Sequence, residues 1–214
     1  MKKITILVVF VLILSLTTTI YAHPSSQSSI ITWGEDCHWS IDETLHTNGT
    51  SFTYRFTAGT SDTYKAAFRS GASKWSGTVS ITETTQPTTM IAETYYNPNT
   101  YSIAVFTDFV ANSNGHLTSW KIRANTYNMD SYTAALKATT LAHEFGHAIG
   151  LNDLYYYGNS IYLMYGYDDG TATSPISSDK NGARVITGAH TTHTFNSYPL
   201  PGVTACSNCG GFKK

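Results

Sequence analysis

One run of eleven residues constrains this chain more than any other feature: positions 143–153 read His-Glu-Phe-Gly-His-Ala-Ile-Gly-Leu-Asn-Asp, the pattern H-E-x-x-H-x-x-G-x-x-D. Two histidines four apart meet on one face when the backbone is helical. His143 and His147 therefore predict a helix here, from which both side chains can bind one ion. Glu144 follows the first of them and can reach a water on that ion without binding the ion itself. Gly150 comes one turn after His147, and a glycine there can take φ > 0, end the helix and bend the chain back. The bend brings Asp153 toward the open side of the ion. Two imidazoles and one carboxylate make a three-ligand zinc site with one position left for water, whereas a structural zinc is normally closed by four protein ligands. Zinc lowers the pKa of its water from ~15.7 to about 7. Glu144 can then take a proton as that water attacks a peptide carbonyl, and pass it to the leaving amine. The plainer alternative is a buried helix whose histidines bond backbone carbonyls. Against it, a buried Glu144 without a metal nearby is an unpaired charge costing several kcal/mol.

Periodicity places this segment in a wider pattern. Asp130-Ser131 offers an N-cap for a helix running through Leu141 to Ile149. Its apolar positions Ala134, Ala135, Leu136, Ala138, Leu141, Ala142, Phe145, Ala148 and Ile149 predict that it is largely buried. Ser61-Asp62 can cap a helix over 63–75, where Tyr64, Ala67, Phe68, Ala72 and Trp75 recur at helical spacing and leave Lys65, Arg69 and Lys74 to solvent. Residues 39–42 and 52–56 alternate as half-buried strands do, with Asn48-Gly49 a turn between them. Strands are also expected over 78–82, 102–110 and 117–126, with a turn at 112–115. A capped final helix is expected over 177–186. Strands and one helix, then a helix carrying chemistry, then a loop-rich C-terminal part give the fold class as α+β, or mixed α/β.

Lys2 and Lys3 precede an apolar run over 4–16 broken only by Thr5 and Ser15, and a polar patch leads to Tyr21-Ala22. This is the layout of an export signal cut after Ala22. An uncleaved anchor is the alternative, but roughly 20 apolar residues are needed to span a bilayer, and the Ser/Thr cluster at 15–19 interrupts the run. The expected organisation is a signal peptide over 1–22, a flexible N-terminus or short propeptide over 23–34, one domain over 35–190 and a tail over 191–214. The mature protein is expected to be secreted, extracellular, monomeric and without stable membrane association. Net charge is −1, which argues against a nucleic-acid partner, since that requires a basic patch. Cys37, Cys206 and Cys209 are an odd number, so at least one thiol is free or pairs outside the chain. Cys206 and Cys209 read as a tether for the tail, closed locally or to Cys37. Cys37 as a metal-blocking thiolate is the alternative.

The segment 143–153 resembles the zinc motif of metzincin peptidases. The Asp at the third ligand position is similar to the snapalysin group of small secreted bacterial proteases. Most metzincins place His there, so Asp153 departs from the matrixin pattern. Leu163-Met164-Tyr165-Gly166 resembles the matrixin Met-turn, which implies that Met164 packs beneath the ligand imidazoles without binding zinc. Residues 63–75 and 175–186 look like the first and final helices of matrixin-type domains. The resemblance extends over 35–188, but only 139–166 carries specific motifs. It implies a twisted mixed sheet above the zinc helix and a cleft in which a protein or peptide substrate adds as an extended strand. The function implied is a zinc metalloendopeptidase, with Zn2+ on His143, His147 and Asp153 and Glu144 as the base. A non-catalytic binding module on the same fold is a second reading, against which Glu144 speaks. A zinc amidase on a non-protein substrate is a third.

Several other residues are weighed and set aside. Tyr155, Tyr156, Tyr157, Tyr165 and Tyr167 are expected to pack the loop and line a pocket. Astacin-like members use a Tyr two residues after the Met, a position held here by Gly166. Asp168-Asp169-Gly170 reads as a solvated loop rather than a calcium site. His190 and His193 read as a surface pair rather than a second zinc site. His23, His38, His46 and His116 carry no supporting pattern.

Overall fold

Alternation decides which residues become the sheet. In Ser51–Phe56 (β1), Phe52 and Tyr54 are buried while Ser51, Thr53 and Arg55 are exposed. In Leu117–Asn125 (β5), Trp120, Ile122 and Ala124 are buried and form the same inner face. The computed structural model describes residues 39–188 apart from 43, 156 and 168–170. Outside the described residues lie the expected signal peptide and N-terminal segment, Cys37, Cys206, Cys209, His23, His38, Tyr156, Asp168-Asp169-Gly170, His190, His193 and the tail.

Between these strands come Asp62–Ser73 (α1), Ser80–Glu83 (β2), Met90–Tyr95 (β3) and Ala104–Ala111 (β4), and after β5 come Thr126–Met129 (α2), Ala134–Ile149 (α3) and Ser177–Gly188 (α4). The five strands form one sheet in the order β2-β1-β3-β5-β4. The pairs β1–β2, β1–β3 and β3–β5 are parallel, and only β4 runs antiparallel, to β5. The fold is therefore mixed α/β with a mixed sheet and four helices, as the order of elements predicts.

Helices α1 and α3 pack together over the inner face of the sheet. The Phe145 ring fixes how α3 is rotated, meeting Tyr54 at 5.2 Å, Phe68 and Trp120 at 6.3 Å and Phe52 at 6.5 Å between ring centroids. The Trp75 indole N–H donates to the Ala142 carbonyl at 2.8 Å, tying the end of the first helix segment to α3. With Phe145 committed to the core, the helical period turns His143, Glu144 and His147 toward the edge strand β4.

Four sequence expectations are corrected. Residues 39–42 are not a strand: only Ile41 pairs, in an isolated antiparallel bridge to Leu151. Its partner is the short stretch just past α3, where the chain turns away and leaves no ladder to extend. Helix α3 begins at Ala134, and its N-cap is Thr133, whose side chain accepts from the Leu136 N–H at 3.2 Å. Asp130, the expected cap, instead accepts from the Tyr64 hydroxyl at 2.7 Å. Ala134 and Ala135 are exposed, and the buried stripe of α3 begins only at Lys137 and Ala138. Finally, β3 has no counterpart among the expected strands. Ile91 and Ala92 are adjacent and both buried, so the alternation that marks a half-exposed strand is lost in this central, parallel one. Among the described residues, no helix is long and apolar enough to cross a membrane.

Candidate metal centre

Helix α3 ends at Gly150, whose φ of 119° is open to glycine and strained for any residue with a Cβ. Its N–H closes the helix on the Gly146 and His147 carbonyls. The chain then turns through Leu151 and is clasped on both sides. Asn152 N–H donates to the Ser40 carbonyl at 2.9 Å, and Leu154 N–H donates to the Met164 carbonyl at 2.8 Å. Between these two clasps stands Asp153.

One carboxylate oxygen of Asp153, Oδ1, lies 3.0 Å from His143 Nε2 and 3.5 Å from His147 Nε2. The three ligand-type atoms all fall within 4.8 Å of one another. Donors held at 2.0–2.1 Å around a tetrahedral zinc would sit roughly 3.3 Å apart, and the two Asp153 distances of 3.0 and 3.5 Å bracket that value. Two further observations bear on that fit. Asp153 Oδ1 is buried with only the two imidazole Nε2 atoms facing it, an arrangement that is costly unless a proton or a metal cation stands between them. Each imidazole also turns Nδ1 onto a backbone carbonyl, His143 onto Leu163 O and His147 onto Leu151 O, both at 2.8 Å. A carbonyl oxygen can only accept, so both Nδ1 atoms carry hydrogen, and each Nε2, once it holds no proton of its own, directs a lone pair at the shared point. The residues present thus suit a zinc ion with an open fourth position.

Electrostatics follow from this convergence. Burial alone would lower the His143 pKa, but the Asp153 hydrogen bond and the negative charge of Glu144 overcome it and lift it to about 9. Burial would raise Asp153, yet its contacts with His143 and His147 hold its carboxyl well below the usual range. Burial pushes the Glu144 carboxyl up, against the opposing pull of both imidazoles and the Phe106 backbone N–H. His143, Glu144 and His147 line one cleft of about 750 Å³ with Asp153, running between β4 and the loops past α3.

Behind the cluster, Met164 is fully buried, and a Cβ added at Gly146 would collide with its sulfur. The Met therefore packs against the helix turn between the two histidines. Sequence reasoning missed two supporting residues. Tyr155 donates its hydroxyl to Asp153 Oδ2 at 2.9 Å, which fixes the carboxylate and leaves Oδ1 facing the histidines. Asp179 is buried in α4 and accepts N–H groups of Ile176 at 2.9 Å and Met164 at 3.3 Å, pinning the turn whose Leu163 carbonyl orients His143. The only signal for Asp179 was its place in the capped start of a helix. Tyr155 was one of several adjacent tyrosines with nothing to separate it. Tyr165 and Tyr167 line the cleft as expected, and Tyr157 is exposed. His46 and His116 pack edge to face at 5.2 Å, away from the cleft lining. Comparison of the chain with family models and with curated proteins finds no match.

Proposed function

We propose that this chain is a secreted zinc-dependent metalloendopeptidase of metzincin type, with His143, His147 and Asp153 as ligands and Glu144 as general base. Chief support comes from the two imidazoles. Each is locked by a carbonyl so that its other nitrogen aims at the same point as a buried carboxylate oxygen of Asp153. A bound zinc ion supplies Lewis acidity there, lowering the pKa of a water and polarising a carbonyl. Glu144 lines the same cleft as that point. It takes a proton from the attacking water and returns it to the departing amine nitrogen. Strand β4 is at the edge of the sheet, so one side of its backbone is open to an extended peptide laid along the cleft. Phe106 in that strand donates its N–H to Glu144, which keeps the base beside the scissile bond. Tyr155 and Asp179 act as positioning residues. The leader-like pattern over 1–22 supports an extracellular setting.

The test is hydrolysis of casein beside a panel of simple amides, with and without chelator. The expected outcome is cleavage of casein, lost on chelation and restored by zinc. Hydrolysis confined to the small amides would favour an amidase, and binding without any turnover would favour an adhesion module.

A further inference from the structure

We propose, building on the peptidase reading, that Phe109 is a specificity-determining residue that forms with Phe106 an apolar wall for one large, preferably aromatic, substrate side chain on the His147 side of the cleft. Strand β4 is irregular in its middle. Thr107 pairs with Lys121 and Val110 with Ser119, so three steps along β4 oppose two along β5. One extra residue is therefore inserted, a β-bulge. Asp108, inside it, has φ of 52° and is the one described residue other than glycine with positive φ.

The bulge changes which face each side chain occupies. Phe106 pairs with Ile122 on the inner face, and Thr107 pairs with Lys121 on the outer one. Regular alternation would send residue 108 inward and Phe109 outward. Instead Asp108 turns outward and binds Lys121 Nζ at 2.8 Å. Phe109 turns inward, and its ring stacks on Phe106 at 5.5 Å with only 8° between the planes. The Phe106 ring in turn lies 6.1 Å from the His147 ring, and both phenylalanines line the metal cleft.

Phe109 is 45% exposed, so this placement does little for the core. A single exposed aromatic is ordinary. What is not ordinary is a left-handed aspartate whose backbone turns such a ring over the proposed site while its own side chain faces Lys121 on the outer face. The charges of the bulge are kept on the opposite face, and what reaches the cleft is aromatic surface. A flat apolar side chain of a bound peptide can continue that stack. Asp108 is thus a positioning residue for Phe109. Asn, which also tolerates left-handed backbone, can replace it, whereas a β-branched residue cannot.

The experiment compares zinc-loaded wild type, Phe109→Ala, Asp108→Asn and Asp108→Val. Cleavage of a randomised peptide library is read by mass spectrometry. Wild type should enrich Phe, Tyr or Leu at one subsite, and Phe109→Ala should reduce that enrichment roughly 3- to 10-fold, the range an aromatic pair supplies, with other subsites unchanged. Asp108→Asn should keep the preference and Asp108→Val should lose it. An unaltered profile in Phe109→Ala overturns the proposal. Calorimetric binding of capped peptides carrying Phe or Ala supplies a readout without turnover. If nothing is cleaved yet wild type favours the Phe peptide and Phe109→Ala does not, the wall stands and the peptidase reading falls. Equal binding of both peptides by wild type overturns the wall itself.

Discussion

At the scale of residues, the site depends on which atom of each side chain is already engaged. His143 and His147 give Nδ1 to backbone carbonyls, and Asp153 gives Oδ2 to Tyr155, so the remaining atoms have only one another or an ion to face. In the metal-free protein, His143 keeps its proton to about pH 9 against an ordinary 6.5, because the pull of Asp153 and Glu144 outweighs the opposing effect of burial. The folded-state pKa is raised, so the stabilisation from this pairing is complete below pH 6.5 and lost as pH rises through about 9. Zinc must displace the same proton. Its affinity should therefore rise about tenfold per pH unit across that window, with close to one proton released per ion from His143 at pH 7. Calorimetric titration in buffers of different ionisation enthalpy measures this. Flat affinity with no proton release would contradict the assignment. The four residues of the motif were legible in the sequence because helical spacing alone puts two imidazoles together. Tyr155 was not, since its bond to Asp153 depends on the loop path beyond Gly150, which no local pattern encodes.

At the scale of elements, the turn after α3 is as necessary as the helix. Gly150 combines positive φ with close packing, and a Cβ there would sit 2.5 Å from the His46 Cβ and 3.1 Å from Ile186 Cγ1. Gly150→Ala should cost about 2 kcal/mol or more, read by urea unfolding of the metal-free protein, and should weaken zinc binding by displacing Asp153. A cost under about 0.5 kcal/mol, the scale of an ordinary surface change, would show that the turn is not under this constraint. The sequence announced Gly150 by its offset from His147, α1, β1 and β5 by periodicity, and α4 by its capped start. It did not announce β3, where burial on both faces removes the alternation. It misplaced the start of α3, because Asp130, Ser131 and Thr133 are all competent caps and the choice is made by Tyr64, a residue 66 positions from Asp130.

At the scale of the whole molecule, the centre draws together segments distant in sequence. Helix α3 gives His143, Glu144 and His147, the loop beyond it Asp153, the turn at Leu163-Met164 a support, and α4 the Asp179 that pins that turn. An ion bound there should stabilise the entire domain. With free zinc a thousandfold above Kd, the gain is about 4 kcal/mol, which for a domain of this size raises Tm by roughly 10 °C. A scan with and without chelator measures it, and an unchanged Tm would mean that the three ligands do not share an ion. Fold class was legible from element order, but the strand order was not, since which strand becomes the edge is decided by long-range pairing. That edge places β4 along the cleft with His143 and His147 and gives Glu144 its N–H from Phe106. The most direct test of the central claim is casein hydrolysis by zinc-loaded wild type beside Glu144→Ala of equal zinc content. The expected result is cleavage by wild type and a loss of at least ~100-fold in the variant, the scale of a general base. Equal rates in the two zinc-loaded proteins, or none in either, would contradict it.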